Sequence, residues 1–161
     1  MKKLIYTLLV IVALTNNSFS AGTASDSSDD SSNYTKAKNL IKAAKKYEIK
    51  GKTEKAQKKY IKAQKLLLKS NKKKPLQADT LNYLGFTTRK LGDYEGGEEF
   101  YLQGLQIEPR HNGINEYLGE LYVATNRMAM AKERLEVLKT CNCEEFDELK
   151  EIIEGTKKSK Y

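Results

Sequence analysis

The sequence predicts an all-α protein, an α-solenoid of about three helix–turn–helix repeats closed by a C-terminal capping helix. Three observations predict it. Leu84-Gly85 recurs as Leu118-Gly119 and Gly92-Asp93 as Asn126-Arg127, each 34 residues further on. Large apolar residues fall three and four apart, as in Leu81, Leu84 and Leu118, Tyr122, which is the helical period. Turn-forming residues, Gly51-Lys52-Thr53, Gly92-Asp93 and Asn126-Arg127, then punctuate the helical stretches. A unit of this length cannot bury its apolar face alone and must stack on neighbours.

In chain order, Lys2 and Lys3 precede an apolar run from Leu4 to Leu14, followed by the small-residue sequence Ser18-Phe19-Ser20-Ala21. A basic n-region, a short h-region and small residues at alternate positions predict a secretory signal peptide over 1–20. The run is too short to span a bilayer, which takes about 20 apolar residues. Residues 21–34 are mostly Ser, Asp, Gly and Thr and read as a disordered leader. The folded domain is expected over 35–157, with repeats near 37–71, 78–111 and 112–141, a capping helix over 144–157 and a tail at 158–161. Tyr60 and Tyr101 stand 41 residues apart, so seven residues are inserted after the first repeat. The Lys-rich stretch Ser70 to Leu76, with Pro75, is expected to hold them as a connection. The capping helix presents Phe146, Leu149, Ile152 and Ile153 on one face, with Asn142 and Glu145 as its N-cap pair.

Small residues at Ala44, Gly85 and Gly119 predict close approach within each helix pair, and Tyr60, Tyr101 and Leu135 fill the space between pairs. Gly97 and Gly104 inside a helix would each cost about 1 kcal/mol against Ala, which points to backbone packing at both sites.

These residues resemble the tetratricopeptide repeat family. The middle repeat places Leu81, Leu84, Gly85, Thr88, Gly97, Tyr101 and Pro109 in the family's slots. The third places Asn115, Leu118, Gly119, Tyr122, Ala131 and Leu135 there, with Cys143 in the Pro slot. The first places Leu40, Ala43, Ala44, Tyr47, Ala56 and Tyr60, with Leu68 in the Pro slot. Every Trp slot is filled otherwise, since the chain has no Trp. The C-terminal part is similar to that of small secreted bacterial proteins of this family. The resemblance implies a non-catalytic scaffold that binds an unidentified protein or peptide in a concave groove lined by the first helix of each pair. Groove positions are then Lys38, Ile41 and Lys45; Asn82, Phe86 and Arg89; and Glu116, Glu120 and Val123. Phe86 with Arg89 could anchor a peptide, or Phe86 could be buried against the next repeat. The family's carboxylate-clamp slots hold Ile41, Lys45, Tyr83, Gly113 and Tyr117, of which only Lys45 is charged, so chaperone-tail binding of that kind is not expected.

Charge is uneven. The chain carries +8, but residues 35–74 hold sixteen Lys against Glu48 and Glu54, while residues 75–161 hold eleven Lys and Arg against sixteen acids. The basic first repeat is either a solvated helix face or a binder of anionic envelope surfaces, lipid head groups or wall polymers. Export and the scarcity of aromatics among the lysines argue against nucleic acid. The expected location is the bacterial periplasm, with no transmembrane helix in the mature chain.

Cys141-Asn142-Cys143 lies at a helix–helix turn and is open to three readings: a local disulfide, free or intermolecular thiols, and a redox or metal role. The only His, His111, lacks the further ligands a zinc site needs. No phosphate loop or nucleophile elbow occurs. No enzyme activity, cofactor or metal is expected.

Overall fold

The computed structural model describes residues 27–159, with side chains from Ser32. Seven α-helices run in order and no strand occurs among the described residues. Helix α1 (Ser27–Ile49) pairs with α2 (Thr53–Lys73), α3 (Ala78–Lys90) with α4 (Tyr94–Ile107), and α5 (Asn112–Ala124) with α6 (Met128–Leu138). Helix α7 (Glu144–Ile153) lies against α5 and α6. The first helices α1, α3 and α5 are neighbours, which makes the array a solenoid.

One turn is built three times. Gly51, Gly92 and Asn126 occupy the same repeat position and have φ of 66°, 97° and 59°. At each, the amide of the left-handed residue donates to a carbonyl three back: Gly51 to Glu48 (2.8 Å), Gly92 to Arg89 (2.9 Å) and Asn126 to Val123 (3.1 Å). The next amide reaches five back: Lys52 to Tyr47 (2.9 Å), Asp93 to Thr88 (3.2 Å) and Arg127 to Tyr122 (2.7 Å). This double closure satisfies carbonyls that a helix end leaves bare, and Gly or Asn is the residue that tolerates the backbone it needs.

Packing follows the sizes of the side chains. Gly85 lies under the ring of Tyr101, and Gly97 lies 3.1 Å, measured from an added Cβ, from the Gly85 carbonyl oxygen. Gly104 faces the Ile114 side chain, and Gly119 faces Leu149 of the capping helix. Tyr60 and Tyr101 are buried between pairs, whereas Leu135 is only half-buried. Leu149 and Ile152 seal the end of the core, while Asp147, Lys150 and Glu151 face water.

Four expectations are corrected. The seven inserted residues are not a loop: α2 has 21 residues against 14 in α4, and the α2–α3 connection is only residues 74–77. Seven residues are close to two helical turns, so the apolar face of α2 stays in phase, and Lys is a good helix former. The leader expected through residue 34 is helical from Ser27, because Asn33 is buried and the Tyr34 ring meets that of Tyr83 at 5.9 Å. The N-cap of α7 is Cys143, not Asn142, which sits at φ 49°; the helix ends at Ile153, four residues before 157. A left-handed turn with Gly155 at φ 73° stops it there. Residues 1–20, where a signal peptide is expected, 21–26 and 160–161 lie outside the described residues.

Candidate functional site

The concave side is formed by α1, α3 and α5, and of the expected groove residues Lys38, Ile41, Lys45 and Phe86 line cavities on it. Ile41, Asn82 and Glu116 occupy one repeat position, and they are 3, 6 and 4 % exposed. They lie in the seams between helices: Ile41 packs in the first core cluster, and Asn82 sits close to Gly113 of the next repeat. The row one residue further on, Lys42, Tyr83 and Tyr117, lines the groove, and Ile41 reaches it at the edge of its seam. Each residue turns a helix by about 100°, so a shift of one exchanges a seam for a surface.

The next row is Lys45, Phe86 and Glu120. Phe86 is 1 % exposed, its ring 5.8 Å from that of Tyr60 and 5.2 Å from that of Tyr117, so it floors the groove rather than standing on it. Arg89, expected beside it, is also buried. Its guanidinium donates to the Tyr117 carbonyl oxygen (2.7 Å) and pairs with Glu120 at 3.4 Å, both side chains being fully buried. Glu116 and Glu120 therefore belong to the interior, and Ser159 donates to Glu120 (3.4 Å) from beyond α7. Val123 is half-buried and Lys38 exposed.

Two cavities adjoin on this face, with Lys45 lining both. The first, of about 380 Å³, is lined by Lys38, Asn39, Ile41, Lys42, Lys45, Tyr83 and Tyr117, with no acidic side chain. The second, of about 410 Å³, is lined by Lys45, Glu48, Ile49 and Phe86 and is mainly apolar. Ile49 rims it at 87 % exposure. Glu48 there is already engaged: Lys90 lies 2.6 Å away and the Tyr60 hydroxyl donates to it (2.8 Å).

The lysines are held in place by rings. Lys45 Nζ stands 4.5 Å from the Phe86 centroid and donates to the Tyr117 hydroxyl at 3.3 Å. Lys38 Nζ stands 5.2 Å from the Tyr34 centroid and 5.8 Å from that of Tyr83. Burial, with the Glu116 carboxylate nearby, pushes the Tyr117 hydroxyl far above the ordinary tyrosine value; burial and Asp79 raise Tyr83. Both stay neutral donors at physiological pH.

Sequence reasoning named Tyr83 and Tyr117 only as uncharged clamp slots and passed over Lys42, Asn39 and Ile49. A signal was present: Tyr83 and Tyr117 are identical residues one 34-residue period apart. Elsewhere, Cys141 and Cys143 form a disulfide with Cα atoms 5.2 Å apart. His111 accepts the Ile114 amide (3.2 Å) as N-cap of α5 and lies 3.2 Å from Asp79. Among the described residues, no group of His, Cys, Asp and Glu could hold a metal, and no helix is long and apolar enough to cross a membrane.

No family model matches the chain, and no curated protein matches it. Among solved structures it is similar to the first tetratricopeptide domain of Spaghetti (RPAP3), bound to the HSP90 peptide SRMEEVD. The TM-score is 0.53 at 20 % identity, over 76 % of this chain and 94 % of that one. The helix pairs, the thrice-repeated turn and this likeness agree: the chain has a tetratricopeptide-repeat fold, an all-α solenoid.

Proposed function

We propose that the protein is an exported, non-catalytic scaffold whose concave groove takes an extended segment of a partner protein. The observation that carries this is the pair of adjoining cavities lined by Lys45. Lys38, Lys42 and Lys45 supply positive charge with no acid in the first cavity, and Phe86 and Ile49 supply an apolar seat in the second. A segment with acidic side chains followed by a large apolar one matches both. Tetratricopeptide solenoids act typically as binding scaffolds, and the neighbour of known structure holds an acidic peptide. The contacts differ from a carboxylate clamp here, because Ile41, Gly113 and the two tyrosines fill four of its five positions.

Export to the periplasm is supported by Lys2, Lys3 and the run Leu4 to Leu14. The Cys141–Cys143 disulfide fits an oxidising compartment.

The test is affinity capture with the native protein beside a Lys42→Glu/Lys45→Glu variant, read by mass spectrometry. The expected result is a discrete protein recovered by the native chain and lost by the variant. Equal recovery by both would remove the groove from the account.

A further inference from the structure

The outer face of α2, turned away from the groove, carries a second surface. Ala56, Tyr60, Ala63, Leu67 and Ser70 point into the core. On the opposite side, Lys55, Lys58, Lys62, Lys65, Lys69 and Lys72 follow one another at alternating steps of three and four residues. That spacing keeps them on a single face. All six are exposed, and none pairs with an acidic side chain among the described residues. The ridge runs about 25 Å, at about 1.5 Å per residue.

Three further features distinguish this ridge from an ordinary solvated face. Tyr47, Lys55, Lys58, Lys59 and Lys62 line a hollow of about 270 Å³, so four lysine side chains border one small space. Ile61 and Leu68, one heptad apart, are exposed along the edge of the ridge instead of facing the core. At the end of α2 the sequence Lys72-Lys73-Lys74-Pro75-Leu76 closes on Leu76, which is 64 % exposed at φ 60°. A leucine in left-handed backbone is uncommon, and here the strain holds an apolar side chain out in water.

From this arrangement we infer that α2 docks the protein flat on an anionic phospholipid surface. The ridge lysines meet the head-group layer, the Tyr47–Lys62 cavity seats one phosphate, and Ile61, Leu68 and Leu76 enter the acyl boundary. Charge alone would serve any polyanion. The row of exposed aliphatic side chains beside it favours a bilayer over a soluble polymer, which offers them no apolar phase. The acid-rich remainder of the chain, sixteen carboxylates against eleven cations over residues 75–161, would be repelled from such a surface and would orient the docked molecule. This surface is separate from the groove, so either can fail without the other.

The test uses the chain from Ala21, which lacks the apolar run Leu4 to Leu14; among the described residues, every buried apolar side chain lies between Ala37 and Ile152. Co-sedimentation is measured with vesicles of phosphatidylglycerol and phosphatidylcholine in equal parts, and with phosphatidylcholine alone. The expected result is binding to the first only, weakening steeply between about 50 and 300 mM salt as screening shortens. Lys58→Glu/Lys65→Glu/Lys72→Glu should lower the partition coefficient at least about tenfold, since each near-surface lysine contributes appreciably. Ile61→Ser/Leu68→Ser should lower it about threefold or more while leaving the salt dependence in place. Circular dichroism confirms that each variant folds, and Lys→Gln at the same three sites is the milder substitute if the reversal does not.

No binding to phosphatidylglycerol vesicles at low salt overturns the inference, as does unchanged binding by a folded charge variant. If Ile61→Ser/Leu68→Ser binds as the parent does and soluble polyphosphate displaces the vesicles, the ligand is a soluble polyanion and the bilayer proposal falls.

Discussion

Gly85 and Tyr101 are in direct apposition across the α3–α4 pair: a Cβ built on Gly85 would lie 2.5 Å from a ring carbon of Tyr101. The ring is fully buried and has nowhere to turn. Alanine at position 85 gains about 1 kcal/mol of helix propensity. Overpacking a tight core costs about 1–3 kcal/mol, and the clash falls on ring carbons, not on a flexible chain end. Gly85→Ala is therefore predicted to lower stability by up to about 2 kcal/mol, measured by urea unfolding. Raised stability would contradict the close approach.

The Tyr101 hydroxyl gives a prediction of opposite sign. It is buried without a hydrogen-bond partner. Removing an unsatisfied buried polar group relieves its desolvation cost, about 1–3 kcal/mol at most. Tyr101→Phe should hold or raise the unfolding midpoint. A clear loss would mean the hydroxyl has a partner in solution, and a buried water would be the candidate.

Arg89 and Glu120 form a fully buried pair. Replacing Arg89 by Met leaves the Glu120 carboxylate in the interior without its cation, at about 3–5 kcal/mol. Arg89→Met/Glu120→Met removes both charges, so the double variant is predicted to be more stable than Arg89→Met alone. Simple additivity in the double-mutant cycle would show that the two do not interact.

Alkali should unfold the protein early. Burial, joined by nearby carboxylates, raises the hydroxyls of Tyr34, Tyr60, Tyr83, Tyr101 and Tyr117 above the ordinary 10.0; Tyr122 is pushed up to about 12 by burial and Glu98. Above pH 10 the unfolded chain releases protons that the native chain keeps, so stability is full below that pH and falls as pH rises. A fully buried group such as Tyr101 contributes a slope of about 1.4 kcal/mol per pH unit. The part of the tyrosine absorbance change that belongs to these six rings should appear only as helical circular dichroism is lost. Complete ionisation of all ten tyrosines with the helices intact would contradict the burial.

Much of this was legible in the chain. The 34-residue spacing and the positions of Gly51, Gly92 and Asn126 report backbone requirements that few residues meet, so they mark the turns directly. The stretch Ser70 to Lys73 misled because a lysine run looks like a solvated connection, although lysine extends a helix readily. Ser27 to Asn33 looked too polar to order, but Tyr34 supplies an anchor on Tyr83 that composition does not reveal. Of the expected groove residues, Lys38, Ile41 and Lys45 line the cavity, whereas Asn82, Arg89, Glu116 and Glu120 are buried, because periodicity tells which residues share a stripe, not which stripe is taken by a neighbouring helix.

The groove row itself is the central claim, and photo-crosslinking in intact cells tests it most directly. A crosslinkable residue replaces Tyr83, which lines the groove, or Leu102, which is exposed on the second helix of the same pair. The account predicts a discrete protein adduct from position 83 that disappears with Lys42→Glu/Lys45→Glu, and no such adduct from position 102. Adducts from 102 with none from 83 would place the partner elsewhere and contradict it.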